Sequence, residues 1–208
     1  MYKYTRATVD IIIESIIIKQ RDTIYFIRGV QMGHLKFILP AEEHKDRAAA
    51  FKQEFFDNGE TVIHGSGLLD QLDYTSWLAH TTKYRLETTA GDDWVPSTTF
   101  FVVHTDTQSM VGIVDIRHHI RHPFLAEYGG HIGYAVRPSE RRRGYAAEML
   151  SLALVYAKSL GLERVMLSCY ADNIGSIKTI KKNNGVLTEE KNYPDGRPMH
   201  VYWIDLAG

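Results

Sequence analysis

Residues 141–146 combine basic and small side chains in a pattern suited to binding phosphate groups. They precede the clearest amphipathic helix of the chain. Backbone N–H groups at a helix N-terminus lack partners within the helix and lie at the positive end of its dipole. Gly144 permits a close backbone approach, and Ala146 leaves room for a bulky anion. The pattern therefore predicts a diphosphate cradle, with positive charge supplied by Arg141, Arg142 and Arg143.

Two other interpretations of the basic triplet remain open from the residues alone. One is a solvated surface triplet before a helix, and the other is a nucleic-acid patch. No second basic cluster supports nucleic acid, and 24 Lys and Arg against 25 Asp and Glu give a net charge of −1. The Lys-Ser/Thr pair of a P-loop and the spaced glycines of a dinucleotide fold are absent, which argues against ATP or GTP with magnesium.

A second polar segment opens the next predicted helix, over residues 173–182. Asn173 and Ser176 lie in its first turn, and Asn184-Gly185 ends it. An asparagine at this place is also the ordinary residue for a helix N-cap, so its type alone does not indicate a ligand.

Together the two segments resemble the signature regions of the GNAT N-acetyltransferase superfamily. Arg141-x-x-Gly144-x-Ala146 is similar to the acetyl-CoA signature [Gln/Arg]-x-x-Gly-x-[Gly/Ala], and residues 172–185 resemble the Asn-x-x-[Ser/Ala] helix with its terminal glycine. The Ser form of that helix is similar to the branch that acetylates protein N-termini. Residues 116–118 and 129–134 look like an uncharacterised set of predicted bacterial acetyltransferases. The resemblance covers roughly residues 34–206.

The resemblance implies acetyl-CoA as co-substrate and no metal. The strand over residues 131–136 would pair its backbone with the pantetheine arm and splay from the strand over 164–169. Backbone N–H groups of residues 141–146 would hold the diphosphate, and the start of the 173–182 helix would contact the cofactor further along. The implied cofactor-binding residues are Ala135, Val136, Arg141, Arg142, Arg143, Gly144, Tyr145, Ala146, Asn173 and Ser176.

The implied reaction is direct acyl transfer from a thioester to an amine, which needs a base for the amine proton. Glu127 and His131 are the candidate bases, since they lie before or on the cofactor strand; each is also explicable as an ordinary loop or strand residue. Many family members carry a tyrosine four residues beyond the Ser/Ala position. Here that position is Ile180, so no general acid is assigned.

Several other reactive side chains are expected to be structural. His118, His119 and His122 lack the spacing and the glutamate of a zinc motif and are interpreted as loop residues near the acceptor cleft. Cys169 is interpreted as a buried strand residue rather than a nucleophile, because direct transfer needs no covalent enzyme intermediate. Residues 64–67 either shape the acceptor pocket or form a flexible turn.

The order of elements that must position these residues is β-α-α-β-β-β-α-β-α-β-β. Helices are predicted over residues 42–56, from an Asp73 cap to about Tyr84, over 145–160 and over 173–182. Strands are predicted over 34–39, 98–104, 111–117, 131–136, 164–169, 186–191 and 199–205. The predicted fold is α/β (α+β): a GNAT-like mixed, mostly antiparallel central sheet flanked by helices and splayed at the cofactor strand.

The isoleucine-rich start is predicted to be an N-terminal extension over residues 1–31, with the acetyltransferase domain over 32–208. Its apolar run also suits one or two strands. Glu14 interrupts this run, which is far too short for a membrane-spanning helix and lacks signal-peptide features.

Composition points to a globular chain of 208 residues with 44% hydrophobic and 24% charged residues. A single cysteine excludes an internal disulfide framework, and we expect a cytoplasmic protein. We predict an N-acetyltransferase acting on a small-molecule, peptide N-terminal or lysine amine, with no nucleic-acid or membrane partner and a possible homodimer. The alternative is a non-catalytic, CoA-binding sensory module of the same family, which the missing tyrosine at Ile180 favours.

Overall fold

The computed structural model describes residues 12–20, 23–86 and 94–206. The helices are α1 (Lys45–Asp57), α2 (Tyr74–Tyr84), α3 (Tyr145–Ser159) and α4 (Ile174–Lys182). The strands are β1 (Ile12–Gln20), β2 (Thr23–Met32), β3 (Leu35–Ile38), β4 (Ser97–His104), β5 (Met110–Arg117), β6 (Ile132–Val136), β7 (Arg164–Tyr170), β8 (Val186–Asn192) and β9 (Pro198–Asp205). No helix in this part of the chain is long and apolar enough to cross a membrane.

Two antiparallel sheets form the framework, as the sequence predicts for a mixed α+β fold. The first has the strand order β1-β2-β3-β4-β5-β6, and the second has the order β7-β9-β8. Each element predicted from residue 34 onward is found within a few residues of its expected bounds. The predicted Asp73 cap is also confirmed, because its Oδ1 accepts a hydrogen bond from the Ser76 N–H at 3.0 Å.

The central strands β4 and β5 are buried on both faces, and alternate side chains enter two separate cores. Phe100 packs in the core under α3, whereas Phe101 packs in the core under α1 and α2. Trp77 of α2 lies against Phe101 with ring centroids 5.3 Å apart. Because side chains of a strand alternate between faces, Thr99 and Asp115 share the face of Phe101 and Ile113. This face of the sheet is therefore apolar where α1 and α2 cover it, and polar at the end of the strands that carries Thr99 and Asp115.

The two sheets meet where β6 and β7 begin, and the strands then separate. The His131 N–H donates to the Met166 carbonyl at 2.8 Å, whereas the ladder of β6 itself pairs only with β5. Gly130 lies so close to β7 that a Cβ there would be 2.5 Å from the Met166 carbonyl oxygen, and its φ is +65°. A glycine is therefore required at this junction, and beyond it a groove opens between the two strands.

Two segments have more regular structure than the sequence alone predicts. Residues 118–130 are predicted as a loop, but Leu125–Gly129 form a single π-helical turn that the Gly130 N–H closes by donating to the Leu125 carbonyl at 2.8 Å. Near the N-terminus, β1 and β2 form a hairpin that continues the first sheet through β3. The boundary between a 1–31 extension and a 32–208 domain stays a prediction, and residues 1–11 lie outside the described residues.

Candidate active site: a groove between diverging strands

A groove of about 900 Å³ runs between β6 and β7 to the N-terminus of α3. Strand residues 132–136 form one wall, and residues 167–170 of β7 form the other. The groove thus contains Ala135 and Val136, the two β6 residues expected to pair with a pantetheine arm. Val136 and Ala135 face Gly112 and Ile113 of β5 on one edge of β6, which leaves the other edge to the groove.

The predicted phosphate cradle lies at the far end of the groove, where α3 begins. Arg142 and Gly144 both adopt left-handed backbone conformations, with φ of +62° and +86°. Backbone N–H groups of residues 142–146 have no backbone acceptor within the described chain, since the first hydrogen bonds of α3 are donated by Ala147 and Glu148. Consecutive free N–H groups in such a turn form an anion-binding concavity. A Cβ on Gly144 would meet no protein atom and would therefore enter the space open to a ligand.

The three arginine side chains of the cradle make different contacts. Arg141 is held by Glu60, with Nη1 2.7 Å from a carboxylate oxygen, and its guanidinium lies 5.5 Å above the Phe55 ring. The hydrogen bond from Arg141 is the largest influence on Glu60 and lowers the pKa of its carboxyl group. Arg143 pairs with Glu140 at 3.0 Å, whereas Arg142 lines the groove. The charge at the cradle is therefore partly neutralised, and the backbone becomes its main anion-binding feature.

The second predicted segment also reaches the groove. Asn173 and Ser176 line it, but the Asn173 Oδ1 accepts the Ser176 N–H at 3.0 Å and thus caps α4. Asn183, at the other end of α4, donates to the Ala147 carbonyl at 3.1 Å. This bond joins α4 to the first turn of α3 and fixes the two helix starts that line the groove relative to each other.

The Tyr134 phenol lies in the groove and is a candidate for the general acid, a role for which the sequence assigned no residue. Ile180 is fully buried, but the Tyr134 hydroxyl of β6 lies 3.1 Å from the Ser176 Oγ and lines the groove. Burial raises the pKa of Tyr134 to about 12, so the phenol keeps its proton at neutral pH. Burial also raises the pKa of the neighbouring Cys169 thiol, which argues against a thiolate nucleophile.

The two predicted bases lie outside the groove. His131 is 5% exposed, and its Nδ1 accepts the Met166 N–H at 2.9 Å. Burial lowers the pKa of His131 to about 4, with Arg117 as the next cause, so the ring is neutral and its Nδ1 lone pair is occupied. Glu127 is exposed in the π turn, where its hydrogen bond raises the pKa of Tyr128. Neither residue lines this groove or the smaller cavity beside it.

A second cavity, of about 360 Å³, opens into the same groove, and we call it the side cavity. Both cavities are lined by Val62, His64, Gly65, Arg117 and Phe124. The loop over residues 64–67, which the sequence left open as pocket or flexible turn, forms part of this junction. The floor of the side cavity is the polar end of the β4–β5 face, with Thr99 and Asp115.

Sequence reasoning named residues 64–67 and His122 for the acceptor side, and these line the side cavity, but it missed the floor and the aromatic wall, whose residues come from distant segments. One signal was available: Asp115 and Arg117 interrupt an otherwise apolar strand at alternate positions, and so share one face. A carboxylate that is only 5% exposed in such a strand is unusual.

The histidines considered for metal binding do not form a group in the described chain. His34, His104 and Asp106 instead place their ligand atoms within 4.8 Å of one another on the surface, at the turn after β4. Both Asp106 N–H and Thr107 N–H already donate towards the His104 Nδ1, at 3.2 and 3.4 Å. The expectation that no metal is needed stays a prediction.

Diverging strands, a groove between them and a cradle at a helix N-terminus are the features expected of an acyl-CoA-binding acetyltransferase fold. Residues 36–185 match the acetyltransferase (GNAT) domain family, and the chain belongs to it. This is a family of N-acetyltransferases. A curated relative, an uncharacterised N-acetyltransferase of Bacillus subtilis called YnaD, is 29% identical over 84 residues. That match covers 40% of this chain and 46% of the relative, so the chain spans about half of the relative's length.

Solved structures share the fold at low sequence identity. One is a ribosomal-protein-serine acetyltransferase of Vibrio cholerae, described as putative by those who solved it, with a TM-score of 0.60 and 18% identity over 85% of this chain and 97% of that one. Another is the microcin C7 self-immunity acetyltransferase MccE in complex with acetyl-CoA and AMP, with a TM-score of 0.60 and 14% identity over 83% and 92% of the two chains. These likenesses concern the fold, and the chemistry of this chain rests on its own residues.

Proposed function

We propose that this chain is an acetyl-CoA-dependent N-acyltransferase that transfers the acetyl group directly to an amine. The observation that carries the proposal is the continuity of the β6–β7 groove with the free N–H groups at the start of α3. The residues proposed to hold the cofactor are those predicted from the sequence, from Ala135 and Val136 to Asn173 and Ser176. All of them except Arg143 line the groove. The complex of the structural neighbour MccE with acetyl-CoA supports the same assignment.

Acetyl-CoA, when bound, supplies an activated thioester. The chain itself must hold the amine beside it, accept the amine proton as the C–N bond forms, and return a proton to the thiolate as the C–S bond breaks. The junction of the two cavities is the place where an amine and a thioester can meet. We therefore expect the base in the lining of this junction and the acid in the lining of the groove, beside the departing thiolate.

For the base we propose His64 in place of His131. His64 is exposed and lines both cavities, whereas His131 is buried with its Nδ1 already bonded. An imidazole is suited to accepting a proton near neutral pH. Glu127, the other base predicted from the sequence, remains a candidate that the experiments below compare directly with His64.

For the acid we propose the Tyr134 phenol, assisted by Ser176. Its hydroxyl is protonated at neutral pH and is held at 3.1 Å from the Ser176 Oγ inside the groove. The phenol thus comes from β6 rather than from α4, where Ile180 occupies the usual position. A buried proton donor beside the departing thiolate lowers the barrier to its release.

The alternative, a CoA-binding sensory module, is favoured by Ile180 alone and predicts binding without turnover. Titration calorimetry of acetyl-CoA tests the cradle first, with Gly144→Glu as the variant and Gly161→Glu as its control. Both glycines have positive φ, of +86° and +83°, and neither Cβ would meet a protein atom. We expect Gly144→Glu alone to lose binding, because its carboxylate enters the phosphate site; equal affinity in all three proteins would refute the cradle. CoA release on an amine panel then separates enzyme from sensor.

A further inference from the structure

The side cavity has a charged floor that no step of acetyl-CoA binding requires. Asp115 is 5% exposed, and its Oδ1 accepts a hydrogen bond from the Thr99 hydroxyl at 2.9 Å. Its Oδ2 is 3.9 Å from the Arg117 Nε, which is too long for a hydrogen bond. Arg117 instead donates from Nη1 to the carbonyls of Gly129 and Gly130, at 3.3 and 3.0 Å. The Asp115 Oδ2 therefore accepts no hydrogen bond from a described residue and is held only by the longer ion pair with Arg117.

The charge of the whole cavity favours a cation. Asp70 is a second carboxylate in the lining, and it accepts a hydrogen bond from the Ser66 hydroxyl at 2.7 Å. Burial lowers the pKa of His80, against the opposing effect of Asp115, so this imidazole stays neutral at pH 7. Two carboxylates face the single guanidinium of Arg117. A positively charged group is therefore attracted, and a ligand carboxylate is repelled.

Part of the remaining wall is aromatic. His80 packs against Tyr84 and Trp94, with ring centroids 4.5 and 5.7 Å away, and Tyr84 lies 5.8 Å from Trp94. Trp94 is 43% exposed and Phe124 is 42% exposed, although both rings line the cavity. Exposed rings around a concave site provide faces on which a flat apolar group can stack.

The position of Asp115 relates this cavity to the site of transfer. In the β5–β6 register Asp115 lies opposite Gly133, which lines the groove. An ammonium group on Asp115 therefore lies one strand away from the groove, while the body attached to it extends towards Trp94. The cavity volume of about 360 Å³ suits a small molecule or a single side chain.

We propose that the side cavity selects a small primary amine with a flat apolar body and no carboxylate. Asp115 binds the ammonium group, and Trp94, Tyr84 and His80 contact the body. This inference rests on the proposed function and names the acceptor class of the same site. Free amino acids, which carry a carboxylate beside the ammonium group, are the acceptors that it excludes.

The test measures binding of four probes by calorimetry, each with the full chain. The probes are 2-phenylethylamine, the neutral 2-phenylethanol, phenylalanine with its carboxylate, and butylamine without a ring. We expect 2-phenylethylamine to bind at least about tenfold more tightly than 2-phenylethanol, as one hydrogen-bonded charge pair supplies. It should also bind more tightly than phenylalanine, whose carboxylate is repelled, and than butylamine, which has no ring to stack. In Asp115→Asn, 2-phenylethylamine should bind no more tightly than 2-phenylethanol. In Asp106→Asn, a change on the distant β4–β5 turn, the difference in affinity between these two probes should remain. Equal affinities, or an advantage that survives in Asp115→Asn, would overturn the proposal.

A second variant keeps the inference testable if Asp115→Asn does not fold. Trp94→Ala removes an exposed ring, so 2-phenylethylamine should then bind no more tightly than butylamine. The affinity for acetyl-CoA should stay unchanged. An advantage over butylamine that survives in Trp94→Ala would count against the aromatic wall.

Turnover in the same samples separates this inference from the proposed function. Release of CoA with a serine-starting peptide, but not with 2-phenylethylamine, would overturn the acceptor class and leave the N-acyltransferase proposal intact. Failure of the wild-type chain to bind acetyl-CoA would overturn the proposed function itself.

Discussion

Gly65 and Gly133 lie backbone to backbone, so that the loop over residues 64–67 is pressed onto the first half of β6. A Cβ on Gly133 would be 3.1 Å from the Gly65 Cα, and a Cβ on Gly65 would overlap the Gly133 carbonyl. Gly65 lines both the groove and the side cavity, and this contact places His64 at their junction. Two glycines, distant in sequence, thus fix the position of this loop on β6.

Gly65→Ala should displace this loop and impair transfer more than cofactor binding. The added methyl group must move the loop away from β6, and a shift of about 1 Å at a reacting centre can cost up to about 10²-fold in rate. We expect kcat/KM for the amine to fall and the acetyl-CoA affinity to stay within error. Steady-state kinetics with the best acceptor measure both.

Gly59→Ala is the matched control for backbone strain. Gly59 has φ of +79° and Gly65 has φ of +69°, so both substitutions place an L side chain in the left-handed region. Only Gly65 has atoms within contact distance of its Cβ. Equal loss of activity in the two variants would show that strain, and not the contact with Gly133, is responsible.

Tyr134→Phe should lower kcat without weakening acetyl-CoA binding. The phenol is buried, protonated at neutral pH, and 3.1 Å from the Ser176 Oγ, so its loss removes the proposed proton donor. Loss of a general acid typically costs on the order of 10²-fold or more. Tyr156→Phe removes another buried phenol, whose hydroxyl is 3.0 Å from Thr98 in the core. Tyr156→Phe should lose about 1 kcal/mol of stability and keep its kcat. An unchanged kcat in Tyr134→Phe would exclude Tyr134 as the general acid.

His64→Gln should slow turnover more than either base suggested by the sequence. The imidazole at the junction is replaced by a side chain that cannot accept the amine proton, so kcat/KM should fall by about 10²-fold. Glu127→Gln is the comparison, since this carboxylate is exposed and lines neither cavity. A kcat/KM unchanged in His64→Gln but lowered in Glu127→Gln would reverse the assignment.

Local patterns predicted the scaffold of the site because each depends on a short stretch of chain. The apolar spacing of residues 145–160 gave α3, and the cradle follows from Gly144 at its N-terminus. The pairing of Arg141 with Glu60 was not predictable, since it joins residues from different elements. The floor and the aromatic wall of the side cavity were missed for the same reason, since they come from α2, from Trp94 and from two strands, whereas the sequence did indicate residues 64–67 as a possible pocket loop. Asp115 within an apolar strand was the one local sign of the floor.

Burial of His131 should make the stability of the fold depend on pH between about 4 and 6.5. Burial lowers the pKa of its imidazole from 6.5 to about 4 in the folded chain. Between these values the unfolded chain binds a proton that the folded chain excludes. The free energy of unfolding therefore falls as pH decreases from 6.5, by up to about 1.4 kcal/mol per pH unit, and the loss levels off below pH 4.

Urea unfolding of the wild-type chain and of His131→Gln, from pH 7 to pH 4, measures this contribution as the difference between their slopes. Glutamine keeps an acceptor for the Met166 N–H but has no proton to gain in this range. His122→Gln, in an exposed loop, controls for the loss of an imidazole and should retain the wild-type slope. Parallel curves for the wild-type chain and His131→Gln would mean that His131 is protonated in the folded state, and would restore it as a candidate base.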